Sequence, residues 1–266
     1  TIFVHCKILN CIFLVILNCC FCLESDLQWL FALDKAKDLI GRESELEILK
    51  EFVKNGESSK MEKTDGANSS VRLREDWELE ASDKAICVLE GPSGWGKTSL
   101  ICKLIVDTVK SKANVFFHIV SSTPSSNRLE SLLKQLLLVL VPEEASDKEN
   151  NAMESDSIEE LKKLLKVALV KYRDKAEAKL VIIIDGLNEL ENHDTYSHLS
   201  WLPPLFPHNI HCIVSTNPHL PTTARLYEHP TFKMTLQPMT PADLTTVAVR
   251  YLQTFTKKLE QVNWKV

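Results

Sequence analysis

Residues 86–98 read Ile-Cys-Val-Leu-Glu-Gly-Pro-Ser-Gly-Trp-Gly-Lys-Thr. A short apolar run, Ala85–Glu90, has the length of a strand. Leu100, Ile101, Leu104 and Ile105 recur at helical spacing through Lys97–Lys110. Between the two lies Gly91-Pro92-Ser93-Gly94-Trp95-Gly96-Lys97-Thr98, which satisfies G-x-x-x-x-G-K-[ST] between a strand and a helix. Phosphate chemistry needs this arrangement. Glycines let the backbone wrap closely with its N–H groups turned inward, and the helix start adds its positive dipole end. Lys97 is placed to reach the β- and γ-phosphates, the Thr98 hydroxyl to ligate Mg²⁺, and Ser99 to extend the cradle into the first helical turn. The competing reading is a Gly-rich turn matching by chance, which the flanking elements disfavour. Trp95 is unusual in a loop that takes small residues. It covers the nucleotide, meets a partner or points out of the loop.

A second motif, Leu180-Val-Ile-Ile-Ile-Asp185, is an apolar run ending in an acid.

 Counted from Thr98 to Asp185, the two candidate Mg²⁺ ligands are 87 residues apart, so only the fold can join them. An acid at the carboxyl end of a buried strand holds Mg²⁺ through water when it lies beside a phosphate loop. Gly186-Leu187-Asn188-Glu189-Leu190 follows, and Glu189 is the next carboxylate able to polarise a water for attack on the γ-phosphate. Lys97 and Glu189 are therefore the candidate catalytic residues, and Thr98 and Asp185 the candidate metal ligands. A strand-end turn for Asp185 and a solvated helix start for Glu189 are the plainer readings. Val214-Ser215-Thr216-Asn217-Pro218 ends another apolar run, so Thr216 and Asn217 are candidate γ-phosphate sensors, set against a simple Asn-Pro turn.

Working outward, strands are expected at 85–90, 114–120, 179–185, 210–215 and 232–236. Helices are expected at 97–110, 129–141, 158–172, 196–201 and 241–256. Strands alternating with helices predict an α/β fold, a five-stranded, mainly parallel sheet covered on both faces. Leu46, Leu49, Phe52 and Val53 repeat at helical spacing before a polar stretch, 56–84, that reads as a loop. Residues 1–34 form an apolar N-terminal extension, 35–237 the P-loop domain, and 238–266 the start of a helical domain. Within the extension, Ile2–Leu23 is apolar but carries His5, Lys7, Asn10 and Asn18, so a membrane segment competes with a non-native extension. The chain opens on Thr1, as a fragment, a processed product or an incomplete gene product would.

Composition sets outer limits. The 266 residues carry a net charge of −5, with 44% hydrophobic residues and only 7 glycines. A mildly acidic chain has no global attraction for nucleic acid, and none is expected as a partner. Cys87, Cys102 and Cys212 all lie in apolar runs, as in a reduced intracellular protein. His193, His198, His208, His211 and Cys212 match no zinc spacing.

With these motifs placed, the chain resembles the NACHT branch of the STAND class of P-loop NTPases. Asp185-Gly186-Leu187-Asn188-Glu189-Leu190 is similar to that branch's extended acidic motif, whereas AAA+ machines tend to place Glu directly after Asp. Leu39-Ile40-Gly41-Arg42-Glu43 resembles the lead-in that contacts adenine, which implies that role for Ile40, Gly41 and Arg42. Phe117–Val120 with Ser121–Ser126, and Leu199–Pro203 with Ile210–Thr216, resemble nephrocystin-3-like and telomerase-associated-protein-like members. Leu236-Gln-Pro-Met-Thr240 resembles the entry to the small helical domain.

The resemblance implies strand order 5-1-4-3-2, counting the five expected strands in sequence. It also implies an ATP/ADP switch with Mg²⁺ and slow hydrolysis, serving as the regulatory module of a larger signalling or scaffold protein. Protein partners would be held through C-terminal repeats, with nucleotide-dependent self-association, in the cytoplasm and by resemblance at the cilium. Asn217 stands where relatives often carry Arg, and Asn188 where many carry a second acid. A nucleotide-binding scaffold without hydrolysis is the first rival. A P-loop kinase or phosphotransferase is the second, and no Arg-rich lid segment accompanies it.

Overall fold

In Leu180–Asp185 (β4) every residue is buried, so the strand needs apolar layers on both faces and neighbours on both edges. The computed structural model describes residues 18–56, 60–64, 83–141, 157–175, 179–191 and 199–255. In it, β4 lies between Asn114–Ile119 (β3) and Ile210–Thr216 (β5), parallel to both. Ile86–Glu90 (β2) runs parallel between β5 and Thr231–Thr235 (β6). These five parallel strands follow the expected order 5-1-4-3-2.

The polar stretch 56–84 departs from the expected loop. Its residues Glu62–Thr64 (β1) pair antiparallel with β6 and make the sheet six-stranded. A three-residue edge strand needs no apolar alternation, which is why its sequence carries no strand signal. Met61 anchors it, with Sδ 3.9 Å from Cys87 Sγ.

Side chains alternate across the sheet and divide the core in two. Ile86 and Val88 face the layer formed by Leu129–Leu140 (α4) and Ile158–Lys175 (α5). Cys87 and Leu89 face the other layer, where Glu43–Asn55 (α2) and Lys97–Lys110 (α3) pack. The last carbonyls of α2 are closed by donors from the sheet's opposite end. His211 Nδ1 donates to Val53 O at 2.7 Å, Lys179 Nζ to Lys54 O at 2.9 Å, and Lys84 Nζ to Asn55 O at 3.3 Å. Gly56 ends the helix in the left-handed region at φ 76°, with its N–H on Phe52 O.

Asn18–Lys35 (α1) forms a helix that runs out of the stretch set apart as 1–34. Ala32 and Gln28 are fully buried, and Trp29 meets Phe117 with ring centroids 6.2 Å apart. Gln28 Oε1 accepts the Ile119 N–H at 2.7 Å, so a side chain satisfies a donor at the end of edge strand β3. Glu24 accepts from Thr123 Oγ1 and Ser125 Oγ, both at 2.8 Å, and from Ser131 Oγ at 3.1 Å. Residues 1–17, most of the candidate membrane segment, lie outside the described residues. Among the described residues no helix is long and apolar enough to cross a membrane.

Of the helix expected at 196–201, residues 196–198 lie outside the described residues. Leu199–Trp201 form a turn, with Leu202 N on Leu199 O, and Pro203 and Pro204 stop any helix there. Pro221–Leu226 (α6), not expected from the sequence, follows β5. Pro241–Thr254 (α7) is capped by Thr240, whose Oγ1 accepts the Asp243 N–H.

Candidate functional site

Parallel strands all present their carboxyl ends on one side, and β2, β4 and β5 are neighbours there. The loop after β2 therefore lies beside the ends of β4 and β5, as ligand sites in such sheets do. Gly94 and Gly96 take φ of 81° and 88°, the left-handed region where a Cβ is costly. Gly96 starts α3, whose first turn holds no acid to compete with an incoming anion. Ser93 and Gly94 are exposed at the tip, and Ser99 lies half-buried in the first turn of α3. Trp95 is half-buried and packs against the α2/α3 layer.

Lys97 crosses the mouth of the loop. Its Nζ donates to Gly91 O at 2.6 Å, Pro92 O at 3.1 Å and Asn217 Oδ1 at 2.6 Å. Burial lowers its pKa, while the Asp185 and Glu189 carboxylates push it back up. Asp185 is buried at the end of β4. Burial pushes its carboxyl up, against hydrogen bonds from Ser215 and Thr98 and the Lys97 charge. Ser215 donates to Asp185 Oδ1 and its Oγ accepts the Gly186 N–H at 2.8 Å. Gly186 turns the chain at φ 74° into a short 3-10 turn, Leu187–Glu189, where Glu189 is exposed.

The structure thus gathers Lys97, Thr98, Asp185, Glu189 and Asn217, and separates Thr216 from them. Thr216 is fully buried, with Oγ1 2.9 Å from Thr223 Oγ1 on α6. Asn217 carries the contact to Lys97, and its N–H donates to Asn188 Oδ1 at 3.1 Å. Thr98 and Asp185 supply a hydroxyl and a buried carboxylate in mutual contact. That hard-oxygen pair fits Mg²⁺, which keeps several waters and takes few protein ligands.

The lead-in divides its roles. Ile40 lines a cavity of about 370 Å³ with Thr245, Thr246, Val249, Arg250 and Gln253 of α7. Gly41 takes φ 67°, and a Cβ there would fall on the Asp243 carboxylate. Arg42 turns inward, only 2% exposed. Its Nη2 donates to Trp95 O at 3.0 Å and Gln237 O at 2.8 Å, and its Nη1 to Glu45 Oε1 at 2.8 Å. The guanidinium ties the phosphate loop to the segment that enters α7. Sequence reasoning missed Ser215, although a polar residue in an otherwise apolar strand end is a visible signal. It also missed Glu90, which carries the same signal at the end of β2, and Thr223, which carries none.

The family described as "Nephrocystin 3, N-terminal" matches residues 72–216. A TPR repeat-containing protein of Dictyostelium discoideum is 24% identical over 212 residues, which cover 66% of this chain and 13% of that protein. The chain thus spans a small part of that relative's length. Among solved structures, Cdc6p from Pyrobaculum aerophilum gives a TM-score of 0.45 at 14% identity, covering 83% of this chain and 51% of that one. The Aeropyrum pernix ORC1 protein, solved in complex with DNA, gives 0.45 at 16% identity, covering 82% and 50%.

Proposed function

We propose, for a chain that belongs to the Nephrocystin 3, N-terminal family, that it binds ATP and ADP and works as a STAND-type switch domain of the NACHT branch. The observation that carries this reading is the convergence of Lys97, Thr98, Asp185 and Asn217 at the amino end of α3. Backbone N–H groups of Gly94–Lys97 and the α3 dipole take the phosphates. Lys97, already on Asn217, carries phosphate occupancy to the end of β5. The cavity beside Ile40 takes the adenine. Bound Mg²⁺ would neutralise phosphate charge, held by Thr98 and, through water, by Asp185. Glu189, exposed beside the site, accepts a proton from the water that attacks the γ-phosphate, giving ADP and inorganic phosphate. Asn188 supplies no second acid and is engaged with Asn217, which supports slow turnover.

In this reading ATP ties the loop to the ends of β4 and β5, and hydrolysis releases the tie. Protein partners would be held by further parts of a longer protein, as the TPR-containing relative suggests. ATP and ADP titration of the chain and of Lys97→Ala tests the reading. Removing a charged hydrogen-bond donor costs about 1.5–3 kcal/mol, roughly a 10- to 150-fold loss of affinity. Equal affinities sink it. Single-turnover hydrolysis by Glu189→Gln then separates a hydrolysing switch from a nucleotide-binding scaffold.

A further inference from the structure

Glu90, the last residue of β2, is a 6% exposed carboxylate directly before the phosphate loop. It takes no part in the phosphate chemistry above. It accepts from Tyr227 OH at 2.6 Å, Thr235 Oγ1 at 2.8 Å and Lys233 Nζ at 2.8 Å. Burial pushes the carboxyl up, but the Lys233, Tyr227 and Thr235 donors outweigh it and hold Glu90 ionised. Lys233 also lies over the Tyr227 ring, 5.1 Å from its centroid.

Tyr227 caps the carboxyl end of α6, and its N–H donates to Thr223 O one turn earlier. Thr223 Oγ1 in turn donates to Asn217 O at 2.6 Å. Asn217 Oδ1 holds Lys97, and Lys97 holds Gly91 O. Gly91 follows Glu90 in the chain, so the contacts close a ring: Lys97, Asn217, Thr223, Tyr227, Glu90, Gly91. One side of the ring is the phosphate loop. The other is α6, a single short helix with a hydrogen bond at each end. Glu90 O also accepts the Leu236 N–H at 2.8 Å, one residue before Gln237, which Arg42 holds.

We propose that Glu90 and Tyr227 are positioning residues that make α6 a strut between the Asn217 turn and the first residue of the phosphate loop. A displacement of Asn217, when Lys97 exchanges it for phosphate, then reaches Gly91 from behind through α6. The proposal rests on the nucleotide-binding reading for its purpose, but the strut itself is testable without nucleotide.

The experiment uses the whole chain with Tyr227→Phe, which removes one hydroxyl and keeps the ring over Lys233. The first readout is amide exchange of residues 93–97 without nucleotide. A strut predicts exchange at least threefold faster there, with the melting temperature within a few degrees of the unaltered chain. Unchanged loop exchange overturns the proposal, whether or not the chain binds ATP. The second readout is ATP affinity in a cycle with Asn217→Ala. A strut predicts that Tyr227→Phe weakens binding threefold or more alone and adds less than twofold once Asn217 is gone. Multiplying losses overturn it, because they mean that Tyr227 and Asn217 act separately. Thr235→Val removes a different Glu90 donor and leaves α6 untouched. It should multiply with Asn217→Ala, and coupling as strong as that of Tyr227 would also overturn the strut. Loss of ATP binding by the unaltered chain would remove the nucleotide reading, leaving loop exchange to decide the strut.

Discussion

Replacing Arg42 by Met keeps an unbranched, apolar side chain and removes every donor. The structure allows the cost to be worked. Nη2 is shared between Trp95 O at 3.0 Å and Gln237 O at 2.8 Å, and both carbonyls lose a charged donor. Hydrogen bonds to charged groups contribute about 1.5–3 kcal/mol each. The Glu45 side chain is 17% exposed and recovers part of its loss from water, so the ion pair adds less than its Coulomb energy suggests. Against this stands the desolvation of a guanidinium whose Nε–H has no partner among the described residues, a cost that Met relieves. The net expectation is a destabilisation of about 2–4 kcal/mol. At about 2–4 °C per kcal/mol for a domain of this size, the melting temperature falls by roughly 5–15 °C. Denaturant titration at constant m-value is the assay, because an unchanged slope assigns the shift in midpoint to stability. Amide exchange must also rise in two segments far apart in sequence, 92–96 and 237–243. A loss below about 0.5 kcal/mol refutes the clamp. So does a full loss with exchange confined to the lead-in, which would reduce Arg42 to an ordinary buried side chain.

Three further outcomes follow from the same geometry. Gly41→Ala forces a Cβ into the left-handed region and onto Asp243, for about 2–4 kcal/mol of strain and overpacking. Asp243→Gly in the same chain should recover the overpacking part, up to about half of it, in urea unfolding and leave the backbone strain, and no recovery would mean that the added Cβ does not meet Asp243. Ser215→Ala leaves the Gly186 N–H and the Asp185 carboxylate each short of a partner, for about 1–3 kcal/mol in the same assay. A change within about 0.5 kcal/mol would mean that water or Thr98 replaces the hydroxyl fully. His118 and His211 are both held below the usual imidazole range by burial, His118 against hydrogen bonds to Ser126 O and Gln135. The unfolded chain therefore binds more protons than the fold, and stability is lost as pH falls through about 6.5 toward their lowered values. A urea midpoint that stays flat or rises between pH 7 and 5.5 would contradict this.

The parallel strands were legible because burial on both faces leaves little room for polar residues, as Leu180–Ile184 illustrates. The elements that escaped do so for the opposite reason. β1 is an edge, α6 is six residues long and opens on a proline, and α1 buries Glu24 and Gln28 as structural polar groups. A buried Glu held by three hydroxyls cannot be told from a surface Glu until Thr123, Ser125 and Ser131 are seen around it.

The same limit shapes the site. The phosphate loop is contiguous, so its spacing carries its chemistry. The pairs that hold it in place are not. Lys97 and Asn217 lie 120 residues apart, and Arg42 and Gln237 lie 195 apart. Sheet order supplies the first pair, since β2 and β5 are neighbours and their ends must meet. It leaves open which of two adjacent residues faces the loop. Thr216 ends β5 and Asn217 lies one residue past it, and their contacts differ: Thr223 of α6 takes the Thr216 hydroxyl, while the Asn217 amide oxygen meets Lys97. A six-residue helix thus engages the residue next to the one that meets the phosphate-loop lysine, a pairing that no spacing in the sequence announces. In the strut proposal α6 reaches Gly91 through Tyr227 and Glu90, beside the separate tie that Arg42 makes from Trp95 to Gln237.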